Sequence, residues 1–193
     1  MPNLTTRNRP QIRKEQVMRN LKPDEIEVRV GTVGAKGVTM LLYKNARVDR
    51  AMLDEEYGAM NWSCRYEEYK GNLFCSIGVY DTDKKEWVWK EDCGTESQTE
   101  KQKGEASDAF KRAGFRWGIG IELYTSPFIF MPVATEPDPY NKGKYKMVNK
   151  YELNGIYVSE IKTVKGKIKD LSLAMNGTVV WSTDRRKVGL KHE

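Results

Sequence analysis

The chain has 193 residues and a formal net charge of +6, from 33 Lys and Arg against 27 Asp and Glu. Hydrophobic residues make up 39% of the total, and with the 16 glycines added this share is close to the globular norm, which excludes wholesale disorder. The length suits one domain with a packed core. The basic balance favours a polyanionic partner.

The cysteines and the hydrophobic runs exclude further classes of protein. Cys64, Cys75 and Cys93 are odd in number and far apart, so we expect free thiols in a reducing compartment rather than a zinc or redox site. The longest hydrophobic runs, such as residues 128–134, are too short to cross a bilayer. The sequence therefore predicts a soluble cytoplasmic protein without a membrane partner, located in the bacterial host cytoplasm if a phage encodes it.

The first predicted elements open a core domain over residues 10–132. Residues 1–9 are polar and predict a flexible tail, and Pro10 suits the first turn of a short helix. Residues 25–30 alternate between apolar and charged side chains, which predicts a half-buried strand, and residues 38–43 predict its partner. The turn expected between them contains Gly31, Gly34 and Gly37.

A helix and three strands are predicted next. Asn45 is suited to cap a helix that ends at Gly58. Strands are predicted over residues 61–69, 73–80 and 87–92, with short turn-forming segments between them. Because such closely spaced strands pair with their neighbours in the chain, we expect an antiparallel β-meander.

The most informative helix follows the meander. Ser97 and Glu100 form a capping box, and the helix is expected to run to about Trp117. At about 100° per residue, one arc of this helix is apolar and should pack on the sheet. That arc contains Ala106, Ala109, Phe110, Ala113 and Trp117.

Cations occupy both flanks of the apolar arc. Lys101, Arg112 and Arg116 lie on one flank. Lys111 lies on the other. Phe115 points away from the core face, which indicates either a partner or base at that position or an isolated surface aromatic. Cations interleaved with aromatic residues are typical of single-strand binders, because cations contact phosphates and aromatic faces accept any base.

The C-terminal part has a different pattern. Residues 133–149 are rich in Pro, Asn, Gly and Lys and predict a loop or mobile segment. Residues 150–183 predict a β-hairpin extension of the same domain, because Lys165-Gly166 and Asn176-Gly177 are hairpin-turn signals. Residues 184–193 are expected to form a basic tail.

Sequence signatures of catalysis are missing. The only histidine is His192, next to Glu193, where we expect no role as a catalytic base. There is no G-x-x-x-x-G-K-[ST] loop, and Gly118-Ile-Gly120 lacks the third glycine of a dinucleotide-binding fingerprint. The sequence therefore predicts neither enzyme activity nor a cofactor.

A metal-dependent nuclease is the enzyme alternative. Such enzymes hold Mg²⁺ with clustered carboxylates. The candidate carboxylates fall mainly at strand ends and turns, where acidic residues also serve solvation, so we predict no metal site. They are Glu67, Glu68, Asp81, Asp83, Glu91 and Asp92.

One segment carries a family resemblance. Residues 103–118, KGEASDAFKRAGFRWG, followed by IGIELY at 119–124, resemble the signature helix of the Rad-fifty-two-type single-strand annealing proteins, including their phage recombinase members. The upstream order is similar too, with Asn61-Trp62 opening a meander and Asp92-Cys-Gly94 closing it. The resemblance covers residues 10–124, and the C-terminal hairpins resemble an appendage of phage members.

The resemblance implies an α+β fold with a β-β-β-α core, in which the antiparallel meander packs on a long helix, and with the C-terminal β-hairpin extension added. It also implies that the subunit assembles with its own copies into a ring. A positively charged groove would run around the outside of that ring, with the DNA backbone inward and the bases outward. The family carries out no nucleotide hydrolysis.

Site residues follow from the same resemblance. The family's groove cations match Arg29 on the first strand and Lys111 with Arg112 on the signature helix. A further family arginine falls at Phe115, and Arg116 lies beside it instead. The second, weaker DNA contact of the family resembles the turn at 84–85. The predicted DNA-binding set is Arg29, Lys111, Arg112, Arg116, Lys101, Phe115, Lys84 and Lys85.

These expectations describe an ATP-independent single-stranded DNA-binding and strand-annealing protein, active in homologous recombination and DNA repair and of phage origin. Its expected partners are single-stranded DNA, the complementary strand and copies of itself, with a phage exonuclease or a host single-strand-binding protein as further partners. The alternatives are a passive protein that coats single-stranded DNA, and the nuclease.

Overall fold

The computed structural model describes residues 18–95 and 101–192, without the side chains of 101–103. It has two α-helices and four antiparallel sheets within these ranges, which confirms the predicted α+β class. The predicted tail over 1–9, the helix opening at Pro10 and the Ser97–Glu100 capping box lie outside the described residues. No helix of the described part is both long and apolar enough to cross a bilayer.

The predicted meander is present. Strands β3 (Trp62–Tyr69), β4 (Asn72–Asp81) and β5 (Glu86–Cys93) pair antiparallel with their chain neighbours. Helix α2 (Lys101–Arg116) follows and packs on β4 and β5. The strand side chains facing the helix alternate with outward ones, as period-two patterning requires. The buried hydrophobic side chains of β4 are Cys75, Ile77 and Val79.

The predicted helix face is largely confirmed. Ala109, Phe110 and Ala113 of α2 are buried, whereas Ala106 and Trp117 are half-buried. Trp117 lies just beyond the helix, and its indole nitrogen donates to the Ile77 carbonyl at 3.0 Å. Positive φ angles at Gly118 (89°) and Gly120 (70°) turn the chain away, so these glycines end the helix as expected.

The first sheet precedes the meander. It orders β1 (Glu27–Gly34), β2 (Gly37–Tyr43) and the short β6 (Ile129–Met131), all antiparallel. The strand starts later than predicted because a 3₁₀ turn occupies Pro23–Glu25. It also continues past Gly31, with a register irregularity between Val30 and Val33, so the turn is shorter than expected. The chain reverses at residues 35–36.

Helix α1 (Ala46–Tyr57) connects this sheet to the meander. The Asn45 side chain caps it, accepting from the backbone N–H groups of Arg47 at 2.9 Å and Val48 at 3.3 Å. Gly58, with φ of 81°, ends it. The predicted helix and both of its boundaries are confirmed.

The segment over 133–149 corrects a prediction. It was expected to be a loop or mobile segment, yet it contains strands β7 (Thr135–Pro137) and β8 (Tyr145–Met147), paired antiparallel. Side-chain hydrogen bonds hold the turn between these two strands. The Asp138 carboxylate accepts from the Tyr140 backbone at 2.9 Å and from the Asn141 side chain at 2.7 Å, which closes the hairpin.

The predicted C-terminal hairpins are confirmed. Strands β9 (Tyr157–Val164), β10 (Lys167–Met175) and β11 (Thr178–Ser182) form a three-stranded antiparallel sheet. Both turns have positive φ at their two central residues, as the Lys-Gly and Asn-Gly signals require. Leu171 and Leu173 of β10 are buried in the same hydrophobic core as the meander and α2.

Residues 184–192 are folded, which differs from the expected tail. The segment turns at Arg185–Lys187 and returns along β11. There the Val179 N–H donates to the Leu190 carbonyl at 2.9 Å, and the His192 N–H donates to the Gly177 carbonyl at 2.8 Å. These backbone hydrogen bonds add a short partner to what would otherwise be an open sheet edge.

A buried ion pair joins β2, α1 and α2. Lys44 follows β2 and its side chain is 1% exposed, and Asp49 of α1 is 0% exposed. The Lys44 ammonium donates to an Asp49 carboxylate oxygen and, at 3.1 Å, to the Lys111 carbonyl of α2. Gly114 makes room for this contact, because a Cβ there would overlap the Asp49 carboxylate. The helices therefore meet across a glycine.

We predict that Gly114→Ala lowers the free energy of unfolding by about 3 kcal/mol, because the methyl group overpacks the core and displaces a buried carboxylate. The matched control is Gly34→Ala, where a Cβ would meet no atom closer than 3.8 Å. Urea denaturation of both variants measures the difference. Equal midpoints for the two variants would contradict the assigned role of Gly114.

Candidate nucleic-acid interface

The cations predicted on α2 lie on the flanks of its buried face. Ala109, Phe110 and Ala113 are buried against the sheet, and the intervening Lys111 and Arg112 are half-buried. Lys111 is partly exposed, with its ammonium 3.7 Å from the Asp108 carboxylate, one turn earlier on the helix. The helix thus presents cations from a rigid backbone.

Arg112 and Arg116 are brought together by one carboxylate. The Arg112 Nε lies 3.2 Å from one Asp92 oxygen and the Arg116 Nε 3.0 Å from the other. Their side chains are 41% and 62% exposed. Two guanidiniums share a single negative charge, so the cluster keeps a net positive charge, and each guanidinium contacts Asp92 through Nε.

The pKa of Asp92 reflects this arrangement. Burial by itself would raise the pKa, but hydrogen bonds from the Cys93 backbone and Arg116, together with the charge of Arg112, lower it below the usual value. The carboxylate therefore stays ionised near neutral pH and fixes both guanidiniums.

Phe115 differs from its predicted setting. Its ring packs on Tyr124, with 4.7 Å between centroids, and the Lys44 ammonium lies 4.1 Å from the ring centroid. The ring is half-buried and closes over the buried lysine, so its partners are within the chain. The neighbouring Tyr124 is 67% exposed and is the aromatic that reaches solvent here.

Arg29 of β1 belongs to the same region as Lys111. Its guanidinium lies over the Tyr43 ring at 4.8 Å from the centroid. Hydrogen bonds from Asn45 and from Tyr43 lower the pKa of Glu27, and the charge of Lys111 contributes to the same shift. The Glu27 carboxylate on the first strand is therefore within electrostatic reach of Lys111 on α2.

The predicted turn lysines, Lys84 and Lys85, lie in the turn between β4 and β5. Lys84 lies 3.9 Å from carboxylate oxygens of both Asp81 and Glu86. An open cavity of about 390 Å³ extends from Lys84 to Lys90 and Trp117, next to the end of α2. Lys85 takes a left-handed conformation, with φ of 56°, at the exposed turn.

Of the predicted set, the structure groups Arg112 with Arg116 on Asp92, whereas Lys111 pairs with Asp108 and Arg29 lies over the Tyr43 ring. Lys85 contributes no contact to that group among the described residues. The side chain of Lys101 lies outside the described residues.

Sequence reasoning missed some residues that shape this surface. Lys90 donates to the Arg116 carbonyl at 3.0 Å and lies 4.2 Å from the Trp117 ring centroid. Its alternation with Val88 and Asp92 on β5 would have placed it on the helix side of the sheet. Lys44 gave no such signal, because a lysine directly after a strand is usually solvated.

The buried pair is electrostatically costly. Burial lowers the pKa of Lys44, although Asp49 opposes the shift, and burial raises the pKa of Asp49 to about 6. One Asp49 oxygen has no hydrogen-bond partner among the residues that the structure describes. Each charge is therefore tolerated mainly because the other is present.

The carboxylates considered for a nuclease site are not clustered in the part of the chain that the structure describes. Within 18–95 and 101–192, no group of three or more His, Cys, Asp or Glu side chains is arranged to hold a metal ion. The closest relation of Asp92 is with two arginines rather than with another carboxylate.

Comparison with known proteins leaves the family open. No protein-family model matches the chain, and neither curated proteins nor solved structures give a match. The resemblance of the signature helix to the annealing proteins therefore remains a prediction from its residues.

A double-mutant cycle tests the buried pair. We predict that Lys44→Met and Asp49→Asn each lower the free energy of unfolding by about 3 kcal/mol, since each leaves an unpaired buried charge. The double variant should lose at least about 1 kcal/mol less than the sum, as contacting residues do. The control cycle uses the exposed pair Lys146 and Glu136, which lie 3.0 Å apart and should show coupling close to zero. Additive losses at Lys44 and Asp49 would refute the coupling.

Proposed function

We propose that this protein binds single-stranded DNA without ATP and anneals complementary strands. The observation that carries the proposal is the pair of guanidiniums of Arg112 and Arg116, held side by side by Asp92 on the flank of α2 next to β5. Planar guanidinium forks match phosphate oxygens, and a phosphate would add to the contacts that Asp92 already makes.

The remaining cations extend this pair into a path. Lys111 precedes Arg112 on the helix, and Arg29 of β1 lies over the Tyr43 ring. Several cations on one subunit favour a chain of phosphates over a single small anion, because each contact neutralises one charge and releases counterions. Phosphate contacts carry no sequence information, so the proposed binding is independent of base identity.

Annealing follows from which part of the DNA is held. A strand bound through its phosphates keeps its base edges free to test a complementary strand. Base pairing then supplies the free energy, which agrees with a proposal that needs neither a nucleotide nor a metal. Coating without pairing is the second candidate, and it uses the same cations.

We also propose that the subunits assemble into a ring. The face of the β3–β5 sheet opposite α2 carries three exposed aromatic residues, Tyr69, Trp87 and Trp89, and an exposed aromatic patch of this kind supports association between copies. Arg65 covers Trp89 at 4.1 Å from the ring centroid and pairs weakly with Glu67, so this face has little net charge. A near-neutral aromatic surface suits a protein partner better than a polyanion.

We predict that the double variant Lys111→Ala and Arg112→Ala binds single-stranded DNA more weakly for all sequences alike. The slope of log affinity against log salt should become shallower by about 1.4, because each lost phosphate contact accounts for about 0.7 on single strands. Fluorescence anisotropy over a salt series measures both quantities. Arg29→Ala, on a different element, should weaken binding in the same direction while the oligomer stays intact.

The matched control is Lys142→Ala with Lys144→Ala, which removes the same charge from the connection between β7 and β8. Its salt slope should stay near the wild-type value. A folded Lys111 and Arg112 variant with unchanged affinity would remove this site from the proposal.

A strand-annealing assay separates the three candidate activities. With two complementary labelled oligonucleotides and no ATP, we predict that the protein speeds duplex formation above the spontaneous rate. A coating protein would slow pairing, and a nuclease would shorten the strands once Mg²⁺ is added. Either result would overturn the annealing proposal, and native gels and denaturing gels of the same reaction distinguish them.

A further inference from the structure

The turn between β9 and β10 carries a second group of cations. Lys165, Lys167 and Lys169 lie within five residues and are exposed. No carboxylate of the described residues lies within ion-pair distance of any of the three. Like charges this close repel one another and gain nothing for the stability of the hairpin, which indicates a surface that receives an anionic partner.

The fold connects this turn to the α2 cations. Ile168, between two of the lysines, donates its backbone N–H to the Thr125 hydroxyl at 2.9 Å. Thr125 follows Tyr124, whose ring packs on Phe115 of α2 at 4.7 Å between centroids. Through these contacts the tip of the C-terminal hairpin is anchored to the segment that follows α2.

Tyr124 follows α2 in the chain and directly precedes Thr125, which contacts the C-terminal hairpin. It is exposed on the surface, although its ring touches Phe115. Tyr124 also lies near Arg112. Burial lowers the pKa of that guanidinium and Asp92 raises it, and Tyr124 adds to the net rise. An exposed aromatic ring in the segment that joins two cationic elements can stack a base while neighbouring cations contact phosphates.

We propose that Tyr124 and the β9–β10 lysines form an extension of the single-strand interface, in which one base stacks on Tyr124 and the adjoining phosphates lie on Lys165, Lys167 and Lys169. The proposal rests on the proposed function and deepens it by assigning a role to the C-terminal hairpin. The ligand is the same polynucleotide chain that α2 holds. An acidic polypeptide would satisfy the lysines but would leave the aromatic ring without a partner.

The main experiment removes the three charges and keeps the side-chain stems. The variant carries Lys165→Gln, Lys167→Gln and Lys169→Gln in the full chain. Affinity for a single-stranded oligonucleotide should fall about tenfold at low salt, and the salt slope should become shallower by about 2, from three contacts of about 0.7 each. The control, Lys142→Gln, Lys144→Gln and Lys150→Gln, loses the same charge and should keep the wild-type slope.

A second experiment addresses the aromatic ring. An oligonucleotide with 5-iodouracil at each position in turn should photo-crosslink to Tyr124, and peptide mapping identifies the site. Tyr124→Phe should keep the affinity because the stacking face is retained, whereas Tyr124→Ala should lose it. Loss in both variants, or no crosslink at any position, would overturn the stacking role.

The outcomes separate this inference from the proposed function. If the wild-type protein ignores single-stranded DNA, the proposed function fails and the inference fails with it. If the wild type binds and the Lys111 and Arg112 variant is weakened, but the Gln variant matches its control, then the inference alone is overturned.

Two further measurements test whether the positive charge itself explains the lost affinity and whether the lysines accept any polyanion. Replacing the same three lysines by arginine keeps the charge, and it should restore the affinity lost in the Gln variant. A failure to restore would show that the loss came from misfolding and would overturn the inference. Polyglutamate is the competitor probe, and it should displace the oligonucleotide poorly. Equal competition would mean that the lysines attract any polyanion, which would overturn a single-strand site.

Discussion

The structure depends on a pair of opposite charges that are hidden from water. Lys44 and Asp49 lie where β2, α1 and α2 meet, and the lysine also bonds to the backbone of α2 at Lys111. Desolvation penalises both charges, so the pair specifies the arrangement of these elements more than it stabilises them. Gly114 is the residue that makes this geometry possible, because any side chain there would occupy the space of the carboxylate.

The positions of the cations on α2 depend on that contact. The Lys44 ammonium donates to the Lys111 carbonyl. One turn further along α2, the Phe115 ring covers the Lys44 ammonium. The helix therefore cannot rotate about its axis without breaking the buried pair. The backbone positions of its exposed cations are fixed as a result, and Asp92 restrains two of the side chains. Cations held in advance lose less conformational entropy when they meet phosphates.

The sequence predicted those parts of the fold that local rules determine. Alternation placed the meander strands, and Lys-Gly and Asn-Gly pairs placed the C-terminal turns, because both signals act between neighbouring residues. Phe115 could not be placed in the same way, since its partner Tyr124 approaches only after the chain reverses at Gly118 and Gly120. Lys44 was missed for the same reason, because its acid lies on another element and its burial is a property of three elements together.

The cationic residues and the exposed aromatic residues lie on different surfaces, and this separation supports the proposed activity. The cations lie on and beside α2, whereas the exposed aromatic residues Trp87 and Trp89 lie on the opposite face of the meander sheet, with little net charge around them. A polyanion is drawn to the first surface and gains little from the second, and a protein partner has the reverse preference. One layer of sheet separates the two surfaces. Subunits that meet through the aromatic face would therefore leave each α2 accessible to DNA. A strand bound along the α2 helices of successive subunits would then not touch the contacts that hold the subunits together.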